Sequence, residues 1–171
     1  RDRFLFKILV DYPSVEEERE IVYRMGNVPP SAAQILDPET TIRLQETAAN
    51  VFVHHALVDY VVRVINATRR PAELGLHDVD SWLSYGASPR ATLGIVAAAR
   101  ALALVRGRDY VIPADIVELI PDVLRHRLVL SYDALADEVT ADQIINRILQ
   151  TIGLPQVGTQ PVQPAAGPPV Q

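Results

Sequence analysis

The chain has 171 residues, 49% of them hydrophobic and 22% charged, with a formal net charge of -5 and no cysteine. That size and balance fit one soluble domain with a real core, and the negative charge argues against DNA or an anionic membrane as a partner. Disulfides and thiolate chemistry are excluded, as suits a cytoplasmic location; no apolar run reaches the roughly 20 residues of a membrane-spanning helix, and the first residues do not read as a signal peptide.

Phe4 to Val10 is a short run of strand formers closed by Asp11-Tyr12-Pro13. It predicts a strand with no second strand nearby to pair with. Ser14 to Met25 predicts a helix, with Ser14 and Glu17 spaced as a capping box and Gly26 as the stop. Asn27 to Leu36 reads as a proline-containing loop. Asp37-Pro38 opens a second helix to about Asn50, and Ala56 to Arg69 forms a third, ended by Arg69-Arg70-Pro71. Leu74 to Tyr85 is the least regular segment, open to a short strand or a helical turn.

Pro89 to Arg106 predicts a helix apolar on almost every face, through Leu93, Ile95, Val96, Leu102, Leu104 and Val105. Such a helix belongs in the middle of a bundle. Ala114 to Leu119 predicts a short helix interrupted by Pro121 and restarted over Asp122 to Leu128. Thr140 to Ile152 closes the fold with a Thr140/Gln143 capping box and a stripe of Ile144, Ile145, Ile148, Leu149 and Ile152. From Pro155 the chain turns to Pro, Gln, Val and Gly without charge, the composition of a disordered tail.

The stretch Gly86-Ala87-Ser88-Pro89-Arg90-Ala91 carries the clearest chemistry. Ser88 is a good N-cap whose hydroxyl can accept a backbone N–H, and Pro89 is preset for the first helical position. Arg90 follows in the first turn, where a cation opposes the helix dipole. Either a bound phosphate or a salt bridge to a neighbour would account for it there.

Other candidates read as structural. Glu16-Glu17-Glu18 are acids in a first helical turn, favoured by the dipole. His54-His55 diverge too far on a helix to share one ion and suit a loop or a cap. His77-x-x-Asp80 is a weak metal pattern, and His126, between Arg125 and Arg127, suits a structural or interface role. No metal site is expected. The sequence has no Gly-x-x-x-x-Gly-Lys-Ser/Thr loop and no hydrophobic strand ending in paired acids, so this stretch alone is not expected to hydrolyse ATP.

Gly86 to Ala91 resembles the sensor-2 signature of the MoxR family of AAA+ ATPases, and three further segments resemble the same family in the same order. Asp2-Arg3-Phe4-Leu5-Phe6 is similar to the end of its ATPase core. Gly107-Arg108-Asp109-Tyr110-Val111-Ile112-Pro113-Ala114-Asp115 and Val123-Leu124-Arg125-His126-Arg127 are similar to its lid. The chain opens at Arg1 rather than Met, inside one of these motifs, and is expected to be a piece of a longer protein.

The resemblance implies an all-α fold: a small helical bundle, the AAA+ lid, preceded by one orphan core strand. Residues 1–12 would end the core, 13–152 would form the lid and 153–171 the disordered tail. It implies that Arg3 is an arginine finger offered to a neighbouring subunit and that Arg90 contacts the γ-phosphate of ATP, in cis or in trans. ATP and Mg²⁺ would serve the whole protein, a hexameric, chaperone-like ring. That ring would help insert metal or cofactors into clients, often proteins with von Willebrand factor A domains. The rival expectation is a free-standing helical interaction module with no nucleotide role.

Overall fold

In a computed structural model that describes residues 2–26 and 31–156, helices account for most of the regular structure. Their order is α1 (Val15–Met25), α2 (Pro38–Asn50), α3 (His55–Ala67), a 3-10 turn (Pro71–Leu74), α4 (His77–Trp82), β1 (Leu83–Tyr85), α5 (Pro89–Val105), α6 (Pro113–Leu124), β2 (Val129–Leu130), α7 (Tyr132–Ala136) and α8 (Ala141–Thr151). The two short strands pair antiparallel, Leu83 opposite Leu130.

Local chemistry sets several of the starts. Ser14 and Glu17 form the capping box of α1, Asp37 accepts the Thr40 N–H at the head of α2, and Thr140 and Gln143 cap α8. His54 caps α3, its Nδ1 accepting from the Ala56 N–H, and its ring packs against His55. That is the capping role expected for this pair.

The core lies between α3, α5, α6 and α8, where Leu57, Tyr60, Ile65, Ile95, Ile116, Ile120, Ile144 and Ile148 are fully enclosed. Helix α5 runs through the middle, packed against α2, α3 and α6. Its buried side is small: Ala91, Ile95, Ala98, Ala99 and Ala103 face inward, while Leu93 and Val105 stand exposed. Alanines let the neighbouring helices approach closely, so the bulk of the core comes from those neighbours.

Two expectations about chain path are corrected. Pro121 does not interrupt its helix; α6 runs unbroken from Pro113 to Leu124 with Pro121 inside. The proline costs about 3 kcal/mol, whereas burying Ile120, Val123 and Leu124 at roughly 1.5–3 kcal/mol each outweighs it. Residues Arg125 to Arg127 then form a turn instead of a restarted helix.

The run Phe4 to Val10, expected as a strand, carries no regular structure and has no strand partner among the described residues; its side chains are exposed, and residues of the helical bundle hold it at single points. The Lys7 N–H donates to the Asp122 carbonyl at 2.8 Å, and Arg125 Nη1 donates to the Lys7 carbonyl at 2.6 Å. The Leu5 side chain rests on Gly94 of α5, where an added Cβ would meet Leu5 Cδ1 at 2.8 Å. The irregular stretch after α3 holds both elements left open for it: a short helix, α4, and a short strand, β1. Most of the expected tail, from residue 157 on, and part of the expected proline loop, residues 27–30, lie outside the described residues.

Candidate functional site

The site grows from the crossing of Gly86–Ser88 over the end of α3. Thr68, 1% exposed, donates its hydroxyl to the Ile65 carbonyl at 2.7 Å and accepts the Ala87 N–H at 2.9 Å. Arg69 Nε donates to the Ala87 carbonyl at 2.7 Å. Gly86 lies so close that a Cβ there would sit 2.2 Å from the Thr68 carbonyl oxygen. Only glycine lets the two backbones meet, which fixes where α5 begins.

Ser88 stands at the N-cap position of α5 with extended backbone, as the sequence predicts, but its hydroxyl does not accept a helix N–H. It donates instead to the Asp2 carboxylate, at 3.0 Å to Oδ2. This corrects its expected capping role. Arg90, in the first turn, reaches the same carboxylate at 3.5 Å, with its own side chain 63% exposed. A pair that open to water contributes little stability. The guanidinium is lightly held at a helix N-terminus, where backbone N–H groups also favour an anion.

Asp2 has a third, firmer partner. Arg127, whose side chain is 3% exposed, donates through Nη1 to the Asp2 carboxylate and, at 2.9 Å, to the Asp2 carbonyl. Partial burial works against the charge on Asp2, yet the hydrogen bonds from Ser88 and Arg127 and the nearby guanidinium charges hold its carboxyl below the usual range. Arg3, the residue between Asp2 and Phe4, projects its side chain from an exposed position.

His126, expected in a structural or interface role, holds the chain's first residues, its Nε2 lying 2.9 Å from the Phe4 carbonyl. His77 and Asp80 are exposed, and no three His, Asp or Glu side chains among the described residues gather where they could hold a metal ion. A groove of about 620 Å³ opens elsewhere, lined by Arg63, Asn66, Arg70, Glu73 and Thr151, with neither Arg3 nor Arg90 at its wall.

A second charged cluster stiffens the turn between α5 and α6. Asp115 is fully buried and receives Arg108 at 2.6 and 2.7 Å, Arg106 at 3.0 Å and the Ile112 N–H at 3.0 Å. Burial opposes its charge, and the two guanidinium groups with the backbone donor overcome that, leaving its pKa lowered.

The description "AAA lid domain" matches residues 77–148, which runs from α4 through most of α8. Chaperone MoxR1 of Mycobacterium tuberculosis is 69% identical over 170 residues, covering 99% of this chain and 45% of that protein. The chain belongs to the MoxR family of AAA+ ATPases, and what it carries is the lid domain. Protein MoxR of Paracoccus denitrificans is 34% identical, covering 77% of the chain and 42% of that protein. A solved structure of an ATPase candidate from Cytophaga hutchinsonii superposes with a TM-score of 0.85 at 34% identity, covering 91% of this chain and 48% of that one. The chain thus spans about half the length of the curated relatives it matches.

Of the two arginines singled out from sequence, Arg90 meets the carboxylate of Asp2, and Arg3 is the next residue along the chain from that carboxylate. Sequence reasoning missed the carboxylate that Arg90 meets: Asp2 was read only as part of a motif, and a buried Arg127 carries no signal in local spacing. Thr68 and Arg69 were hidden likewise, since a helix-ending Thr-Arg looks like an ordinary terminus.

Proposed function

We propose that this stretch of a MoxR protein supplies two arginines, Arg90 from the lid and Arg3 from the end of the core, to ATP hydrolysis between subunits of a chaperone-like ring. Arg90 acts as sensor 2 on the γ-phosphate, and Arg3 acts as the arginine finger for a neighbouring subunit's nucleotide. The observation that carries the reading is the open Arg90–Asp2 pair at 3.5 Å. An exposed, long ion pair at a helix N-terminus exchanges readily for a phosphate, whose greater charge both the guanidinium and the helix end favour.

The residues here fit the phosphate end of ATP. They do not gather the carboxylates that Mg²⁺ would need, so the metal belongs with the magnesium-binding acids expected in the rest of the protein. ATP bound there would supply the phosphoryl group; Arg90 would orient its γ-phosphate, and Arg3 would spread the charge that develops on the nucleotide of a neighbouring subunit. An arginine finger is worth roughly 10³ to 10⁵ in rate in other NTPases. Loss of the γ-phosphate would return Arg90 to Asp2, which gives the lid two positions tied to nucleotide state.

The ring is hexameric and acts on client proteins, insertion of metal or cofactor into partners with von Willebrand factor A domains being the leading role. Location in the cytoplasm goes with that role. Among the described residues, no helix is long and apolar enough to cross a membrane. The rival reading, an interaction module without nucleotide, draws on the exposed apolar residues of α1, Ile21, Val22, Tyr23 and Met25. Steady-state ATPase rates of the full-length protein separate the two. Arg90→Ala should lower turnover strongly with the thermal midpoint nearly unchanged, because Ala suits a helix at least as well as Arg. Unchanged hydrolysis would leave the interaction-module reading standing.

A further inference from the structure

We propose that Arg127 is the positioning residue of the Arg3 loop, and that the Asp2 carboxylate couples this loop to Arg90. The inference rests on the reading of Arg3 as a finger. Its basis is the way a nearly enclosed guanidinium spends its donors.

Arg127 Nε donates to the Val123 carbonyl of α6 at 2.8 Å, which fixes the side chain to the lid core. Nη1 then donates to the Asp2 carbonyl at 2.9 Å and to the Asp2 carboxylate, and Nη2 donates to the Phe4 carbonyl at 2.8 Å. The contacts therefore fall on the residue before Arg3 and the residue after it. A charge this buried is retained only where its donors are met, and here the stretch around Arg3 meets them. His126 Nε2 approaches the same Phe4 carbonyl at 2.9 Å, a second hold on the far side of Arg3.

The planar fork matters. A guanidinium presents donors in several fixed directions, whereas a lysine ammonium is a point charge that cannot hold Val123, Asp2 and Phe4 at once. The Asp2 carboxylate held by Arg127 also accepts from Ser88 Oγ at 3.0 Å and pairs with Arg90. When Arg90 turns to another anion, the Asp2 carboxylate loses one partner and keeps Ser88 and Arg127. The state of the sensor-2 arginine is thereby transmitted to the backbone that carries Arg3.

The test is a double-mutant cycle in the full-length, assembled protein: wild type, Arg3→Ala, Arg127→Lys and the double variant, read as kcat and KM for ATP beside the thermal midpoint. Misplacement of a catalytic group by about 1 Å costs on the order of 100-fold. Arg127→Lys should therefore lower kcat about 10- to 100-fold with KM changed less than about twofold. Added to Arg3→Ala, it should cost less than about a further twofold, because a mispositioned finger that is already absent cannot be lost again.

An equal loss from Arg127→Lys in both backgrounds would overturn the positioning role while leaving the finger in place. Full activity of Arg3→Ala would overturn the finger reading itself, and Arg127's role with it. Should Arg127→Lys fail to fold, Asp2→Asn carries the same cycle, since its carboxylate is partly exposed. Non-additivity of Asp2→Asn with Arg3→Ala supports the coupling, and additivity refutes it.

Discussion

Replacing Gly86 by alanine should unseat the start of α5. The added methyl would lie 2.2 Å from the Thr68 carbonyl oxygen, 2.5 Å from its carbon and 2.8 Å from the Arg69 nitrogen, all backbone atoms. Normal contact needs about 1 Å more, and no rotamer change can provide it. Forcing such a contact costs about 1–3 kcal/mol, and the displaced strand of chain loses the Ala87–Thr68 and Arg69–Ala87 hydrogen bonds at about 1 kcal/mol each. The sum is about 3–5 kcal/mol, which for a chain of this size lowers the thermal midpoint by roughly 6–20 °C. The control is Gly153→Ala, where nothing lies within 4 Å of the new methyl. Thermal unfolding followed by circular dichroism reads both. A Gly86→Ala midpoint within about 1 °C of wild type would refute the claim that close backbone approach sets this glycine.

Helix α5 should respond to truncation by face, Ile95→Ala destabilising by about 2–5 kcal/mol and Leu93→Ala by less than about 0.5 kcal/mol, as denaturant titration will show. Equal losses would mean that the alanine face is not the packed one. Asp115 has a folded-state pKa below its unfolded value, so its contribution is present above about pH 4 and disappears as pH falls through the folded pKa. Asp115→Asn should therefore be less stable than wild type near neutrality and lose less stability on acidification, a comparison made by urea midpoints between pH 7 and the acid limb. Parallel acid limbs for the two proteins would refute the assignment.

Much of the helical skeleton was legible because its signals are local. Ser14/Glu17, Asp37-Pro38 and Thr140/Gln143 each need only a few residues to state where a helix begins, and they hold in the structure. Pro121 failed as a helix breaker because its penalty is local while its compensation comes from α5, with α3 and α8, packing on α6. In α5 the large residues drew attention, yet the alanines are buried; face selection there depends on neighbours that spacing does not reveal. The site was half legible. Arg90 announced itself by opposing the helix dipole, and Arg3 came only from resemblance. Asp2, joined to Arg127 across 125 positions of sequence, became visible only once the chain was folded.

If Arg3 serves a nucleotide bound between subunits, two defective kinds of subunit should complement each other. Full-length subunits carrying Arg3→Ala are mixed with subunits disabled in their phosphate-binding loop, each inactive alone, and steady-state ATP hydrolysis is followed in the mixture. Turnover should reappear, because at some interfaces an intact Arg3 then faces an intact nucleotide site. No recovery in mixed assemblies verified to contain both subunits, or full activity of Arg3→Ala by itself, would contradict the account.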